Sequence, residues 1–387
     1  MNISKYYDEA EPYIIEMRRW FHAHPEVSFK EKKTSERIKE ELTSMGITFQ
    51  ELGPNYGIMA TIEGKGNGKT IAVRADIDAL PVTEDTGLFF ASQNEGVMHA
   101  CGHDAHAAML LGTAKVLSQV KSELNGTVKL VFQVAEEIGE GFEEVLNNLE
   151  TSGGVDEVIG LHIWSALPEG EILLYPGAVF AGAGGFTCAI HGQGGHGARP
   201  DLVKDPIKAA CDLVLRLSAI PSNFYDVLDY SVISVGMIHS GTLRNTFPSE
   251  ATIEGSFRYY KYGGAEKIKE IILQMAEGVG KIYGTRIETD FIGGVIPVWN
   301  DSKMVSRARA LVHNVKGLKV SPQTEPICAS DNFGFILDKY KGFYGILGAG
   351  KKEEYNYPQH HCKFDLEEGA FRKGSEFMTR YVCDYLK

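Results

Sequence analysis

The sequence contains no uninterrupted run of about 18 apolar residues, which excludes a transmembrane helix as its organising element. It also has no CxxC pair. Its six cysteines, at 101, 188, 211, 328, 362 and 383, are scattered through 387 residues, a pattern that points to thiols in a reducing compartment, not to a disulfide framework. No dense Lys/Arg cluster is present, and 51 acids against 39 bases leave a net charge of -12. Nucleic acid and anionic membranes are therefore not expected partners. The opening residues, MNISKYYDEAEPY, have neither the basic nor the apolar region of a signal peptide, so the expected location is cytoplasmic. Internal repeats and low-complexity tracts are missing too.

What remains is ordinary globular composition, 43% hydrophobic and 23% charged, in a chain long enough for two domains. Residues 3–45 read as two helices, the second closing on a glycine. Strand-like runs follow, and their ends share a property. TIAVRADID runs from apolar residues to Asp76 and Asp78, GTVKLVFQVAEE to Glu136 and Glu137, and DEVIGLHIW to His162. Strands alternating with helices predict an α/β domain with a mostly parallel sheet flanked by helices, in which ligands gather at the carboxyl ends of the strands. From about residue 179 the order becomes βαββαβ, a self-contained α+β pattern. After Pro297 the α/β character resumes. The expected division is a discontinuous catalytic domain, 1–178 and 293–387, with an inserted domain at 179–292 and glycine-rich hinges at 177–185 and 293–294.

The stretch MHACGHDAHAAM, residues 98–109, packs His99, Cys101, His103, Asp104 and His106 just before an alanine- and leucine-rich helix that Asp104 is placed to cap. Cys101 and His103, at i and i+2 of an extended loop, would point to one side. Thiolate, imidazole and carboxylate are ligand types for zinc and related divalent ions. A buried cysteine among surface histidines is the bland alternative. It loses ground because Glu136, Glu137, His162 and the pair His360–His361 offer further donors. A nucleophilic Cys101 with a histidine base is a rival chemistry, but it leaves the adjacent glutamates without a task. One carboxylate of that pair can ligate a cation, and the other can serve as general base to water, whose pKa a bound dication lowers to about 7. Without the other donors, EEIGEGFEE would read as a solvated acidic turn.

With these residues in view the chain resembles the aminoacylase/carboxypeptidase-type metallopeptidases. Within them it is similar to the amidohydrolase branch of hippurate hydrolases, N-acyl-amino-acid deacylases and indole-acetyl-amino-acid hydrolases. The blocks that carry the resemblance run in order: WFHAHPEVSFKE, VRADIDALPVTEDTG, MHACGHDAHAAMLLGTA, FQVAEE, GLHIWSALPEGEI, GQGGHGARP, GTLRNTFPSE and HHCKFDLEEGA. The resemblance implies two divalent ions per subunit, held by Cys101, His103, Glu137, His162 and His360. Zinc or manganese is the expected occupant, with cobalt or nickel as alternatives. His360 is preferred to its neighbour because it lies four residues before Phe364, the family spacing. By the same resemblance Glu136 is the general base and Asp78 orients the metal site. The inserted domain is a lid and homodimerisation domain, His196 polarises the scissile carbonyl (in several relatives from the partner subunit), and Asn245 and Arg258 bind the substrate carboxylate.

Three departures from the pattern concern specificity. Cys362 stands where the family has proline. Arg199 and Asp201 in GARPD replace small and histidine residues. Asp331 and Asn332 in SDNF replace Glu and Asp. The expectation is a metal-dependent amidohydrolase acting on N-acetyl or N-aroyl amino acids. A dipeptidase or carboxypeptidase using the same site is the alternative, and a non-catalytic relative that binds metal or ligand is a third reading.

Overall fold

The computed structural model describes residues 3–66, 68–226, 229–351 and 355–387. The chain divides into two compact units. The first comprises Met1–Val179, Trp299–Glu325 and Asn332–Lys387, and the second comprises Phe180–Val298 and Pro326–Asp331. The segment Pro326–Asp331, which the sequence pattern assigned to the first domain, groups with the second unit. A parallel bridge from Phe180 to Ile327 and a 2.8 Å hydrogen bond from Ala181 N to the Ala329 carbonyl hold it there.

The first unit is built on an eight-stranded sheet. Its strand order is Thr48–Glu51, Ile58–Glu63, Gly126–Gln133, Lys69–Asp76, Glu157–Pro168, Gly342–Gly350, Glu171–Leu173 and Lys319–Val320. The central four strands are mutually parallel, and their near-continuous burial explains why they read as apolar runs and not as alternating patterns. Three helices, α1 (Ile3–Ala23), α3 (His103–Val120) and Gly369–Tyr385, pack together; α2 is Lys32–Ser44. Almost every side chain of α3 is buried, so its small residues are packing requirements. A Cβ on Gly112 would lie 2.5 Å from Ile14, and one on Gly374 2.5 Å from the Met109 sulfur.

Register places the chemistry. Arg74 pairs with both Val131 and Gly160, and Asp76 with Gln133. Two residues beyond Gly160 on its strand is His162, so Asp76, Gln133 and His162 stand at one level of three adjacent strands.

The second unit has a four-stranded antiparallel sheet in the order Ser231–Ser240, Glu250–Tyr259, Gly182–His191, Arg286–Val295. Helices Pro206–Ser218 and Gly264–Tyr283 pack on it through Leu213, Leu217, Ile268 and Ile272. The first of these helices begins with a full signal: Asp205 accepts from the N–H groups of Ile207 and Lys208, and Pro206 occupies the first turn. Among the described residues no helix is long and apolar enough to cross a membrane, and no disulfide is present.

Candidate metal centre

Side chains from four segments meet at the carboxyl ends of the central strands of the first unit. Cys101, His103 and His162 form one group of mutually close donor atoms, Cys101, Glu137 and His360 a second, and His103, Glu136 and Glu137 a third, each with its donor atoms within 4.8 Å of one another. All five expected ligands are thus brought together with the expected base.

The local backbone explains how. Gly102, with φ 95°, caps α3 in a left-handed conformation, and His103 is the first helical residue. A Cβ at Gly102 would approach the Ile163 Cγ2 to 2.5 Å, so the kink that turns Cys101 and His103 inward requires glycine. The cap position itself is taken by Gly102, not by the expected Asp104, which sits in the first turn with its Oδ1 accepting the Ala105 N–H at 2.9 Å. Its Oδ2 faces α1, with the His22 Nδ1 at 2.6 Å and the Arg18 Nε at 3.1 Å. Burial opposes the Asp104 charge, but Arg18 and His22 outweigh it and hold the carboxyl well below its usual range.

Glu136 and Glu137 do not sit on the strand itself. Gln133 ends it, Ala135 turns left-handed with φ 59°, and the pair occupies a single 3₁₀ turn, Glu136–Ile138. Three bonds hold this turn near the cluster. Glu137 N donates to the Asp78 Oδ2 at 3.0 Å, Asn332 N donates to the Glu136 Oε1 at 3.2 Å, and Ala135 N donates to the Glu31 Oε1 at 2.9 Å.

Hydrogen bonds decide which atoms face inward. The His103 Nδ1 lies 3.1 Å from the Asp78 Oδ1, which makes it the protonated nitrogen, and its Nε2 is buried with no hydrogen-bond partner. The Glu137 Oε1 is likewise buried and unpartnered, 3.8 Å from that Nε2. Two buried polar atoms without partners facing one another in a protein interior are costly unless a cation joins them. The His162 Nδ1 donates to the Ile163 carbonyl at 2.7 Å, and its Nε2 lies 3.6 Å from the Cys101 sulfur. The His360 Nε2 is 3.5 Å from the Glu137 Oε2. His361 instead stacks on Tyr357 at 4.5 Å between ring centroids. Asp76, His103 and His106 also lie close, but His106 is committed elsewhere. Its Nε2 accepts from Ile163 N at 2.8 Å, and its Nδ1 meets Asp76 at 2.5 Å.

The electrostatics match a site that waits for positive charge. Burial, with a contribution from Glu137, holds the Cys101 thiol well above its usual value, so it is not the activated thiolate of a cysteine hydrolase. Burial also pushes Glu137 up to about 7, helped by Asp78 and Asp76 against His103. Burial lowers both His162 and His360, leaving the neutral imidazoles that metals bind. For His103 burial pulls down, but Asp76 and Cys101 carry it above its usual range. A dication reverses the cost of each buried anion, and sulfur, nitrogen and oxygen donors together suit a divalent transition metal.

The other three expected site residues lie in the second unit. His196 pairs with Thr246 on a two-residue ladder, and Gly197 N bonds the Asn245 carbonyl at 2.8 Å, so His196 and Asn245 are neighbours. Ala198 N donates to the His196 Nδ1 at 3.1 Å, which leaves Nε2–H as the donor of the neutral ring. Arg258 sits on the strand Glu250–Tyr259 and donates to the Phe257 carbonyl at 3.0 Å. Arg199 and Asp201, two of the departures, form a bidentate pair with each other on the surface. Asn332 is fully buried, its Oδ1 2.8 Å from the Gln133 Nε2 and its Nδ2 2.7 Å from the Glu140 carbonyl. The sequence reading missed Arg18, His22 and Glu31, which support the site from α1 and the start of α2. The block WFHAHPEVSFKE, quoted whole, contains His22 and Glu31 but not Arg18.

Comparison with known proteins places the chain in a family. Residues 72–384 match the peptidase family M20/M25/M40. The chain is 35% identical to thermostable carboxypeptidase 1 of Saccharolobus solfataricus, over 95% of this chain and 94% of that protein. It is also 35% identical to N-acetylcysteine deacetylase of Bacillus subtilis, over 97% of both. Among solved structures it is similar to the YXEP protein of Bacillus subtilis, described as a dinuclear metal-binding peptidase of the M20 family. That likeness has a TM-score of 0.85 at 32% identity, covering 98% of this chain and 99% of that one.

Proposed function

Because the chain belongs to the peptidase family M20/M25/M40, we propose that it hydrolyses the amide bond of N-acetyl or N-aroyl amino acids, releasing a carboxylic acid and a free amino acid. The observation that carries this reading is the facing pair of unpartnered buried polar atoms, the His103 Nε2 and the Glu137 Oε1, ringed by Cys101, His162 and His360. Those five residues would hold two divalent ions, with zinc or manganese as the assigned occupants and cobalt or nickel also suited to the donors. When bound, the ions supply Lewis acidity and ease the ionisation of water.

The remaining steps belong to the chain's own side chains. Glu136 takes the proton of the attacking water and delivers it to the leaving amine nitrogen. Asp78 fixes the His103 tautomer by accepting its Nδ1–H, so that Nε2 is the ligating atom. His196 is assigned the donation of its Nε2–H to the scissile carbonyl oxygen. Asn245 and Arg258 are assigned to the substrate carboxylate, the guanidinium by a paired hydrogen bond. The inserted unit is assigned as lid and homodimerisation domain, and the enzyme as cytoplasmic.

The test is amine release from a panel of N-acetyl, N-benzoyl and dipeptide substrates, with protein that has been chelated and then resupplied with zinc or manganese. Turnover should vanish on chelation and return with metal. Glu136→Gln should keep its metal and lose about 100-fold or more in kcat. Unchanged turnover in that variant would sink the base assignment. A peptidase reading, favoured by the likeness to a carboxypeptidase, gains if dipeptides outrank acetyl and benzoyl substrates.

A further inference from the structure

Glu31 is a charged residue in a charged stretch, FKEKK, yet it is completely buried. It stands at the start of α2, and its Oε1 accepts the N–H of Ala135 at 2.9 Å. Its Oε2 is buried with no hydrogen-bond partner. Ala135, itself fully buried, is one of four described non-glycine residues with positive φ, a conformation that costs an L-residue energy unless its surroundings enforce it. It is also the hinge between the strand Gly126–Gln133 and the two glutamates of the site. The Glu140 N to Ala135 carbonyl bond, at 2.9 Å, closes the turn from the other side.

We propose that Glu31 is a positioning residue for hydrolysis, which by gripping the Ala135 N–H holds the left-handed turn that aims Glu136 and Glu137 into the metal centre. Without that acceptor the buried N–H is orphaned. Relaxation of Ala135 toward a right-handed conformation would rotate the carboxylates that follow it. Asp78 and Asn332 hold the far side of the turn, through the Glu137 N–H and the Glu136 Oε1. Burial, reinforced by Asp78, raises the Glu31 carboxyl to about 8, so at neutral pH it is an uncharged acid that a glutamine carboxamide reproduces in shape and in its accepting oxygen.

The inference rests on Glu136 acting as the base, and the experiment separates the two. Glu31→Gln, Glu31→Leu, Glu31→Asp and Glu136→Gln are compared as full-length, metal-loaded protein by kcat, KM and bound metal. Glu31→Leu should lower kcat about 10- to 100-fold with little change in KM. Glu31→Gln should restore most of the loss, because it keeps the acceptor. If Glu31→Leu fails to fold, Glu31→Asp, which retracts the same carboxyl by one methylene, should show the same kcat fall. A variant that loses thermal stability but keeps wild-type kcat per metal-loaded site would overturn the proposal. So would a glutamine variant as impaired as the leucine one. Wild-type turnover in Glu136→Gln would instead overturn the base assignment, whatever the Glu31 variants do.

Discussion

His360 and His361 are adjacent in the chain but meet different surroundings, and each neighbourhood assigns a task. His360 is held with φ 68° by its N–H bond to the Ala100 carbonyl, 2.7 Å, with its ring toward Glu137. His361 stacks on Tyr357 and accepts from Lys363 N at 3.0 Å. His360→Ala should therefore lower bound metal and reduce turnover about 100-fold or more, whereas His361→Ala should keep its metal complement. Elemental analysis beside the amine-release assay distinguishes them. Equal metal loss in both would move the ligand assignment. Glu31 makes a second residue-level prediction. Its carboxyl has a usual value near 4.5 and is raised to about 8 when folded. The folded state thus holds this proton more tightly than the unfolded one. The resulting stability is present below pH 4.5 and is lost as pH rises through 8. The shift corresponds to roughly 5 kcal/mol at about 1.4 kcal/mol per unit. Urea unfolding from pH 5 to 9 should show wild type losing stability relative to Glu31→Gln over this window. A constant difference between the two would contradict a buried protonated acid. His360 was singled out in the sequence through the spacing of the family the chain resembles, four residues before Phe364. Glu31 was not, because an acid among lysines reads as solvent-facing until tertiary packing buries it.

At the scale of elements, the start of α3 joins chain geometry to site geometry. The sequence suggested Asp104 as its cap, from the usual preference for a side-chain oxygen there. The actual cap is a left-handed glycine, with the Asp104 Oδ1 on the Ala105 N–H in the first turn and its Oδ2 on Arg18 and His22. Propensity arguments see only local bonds, and this one is a contact from α1, 82 residues away. Gly102→Ala should be severe, combining positive φ with a Cβ 2.5 Å from Ile163, about 3 kcal/mol or more of stability. Because His103 is the next residue, bound metal should fall with it. Gly46→Ala is the matched comparison, with φ 66° and nothing within 4 Å of its Cβ, and should cost only about 1 kcal/mol. Similar losses in both variants would show that backbone conformation, not the Ile163 contact, sets the cost. The four central strands were legible in the sequence, whereas the outer strands Thr48–Glu51, Ile58–Glu63, Glu171–Leu173 and Lys319–Val320 were not. Four apolar runs ending in Asp, Glu, His and glycine-rich segments match a parallel sheet, and the ladder register brings their polar ends level.

For the whole molecule, the question is which residues of one chain serve which site. The first unit contains the complete set of proposed ligands and the base, while His196, Asn245 and Arg258 belong to the second. The βαββαβ order was readable because each of its elements is long and amphipathic. The capture of Pro326–Asp331 by that unit was not, since it rests on one bridge and one backbone bond with no periodic signal. The strand Ser231–Ser240 lies at the edge of the second unit's sheet and exposes Val232, Met237 and Ile238. Edge strands of this kind need cover, and the proposed homodimer would provide it. If His196 serves the partner's site, two inactive proteins should rescue one another. Glu136→Gln retains an intact His196, and His196→Ala retains an intact Glu136. After mixing and subunit exchange, half of the dimers are mixed and one of their two sites is complete, so turnover should recover to about a quarter of wild type. A histidine acting within its own chain leaves every mixed site defective, and the mixture would stay as inactive as its parents.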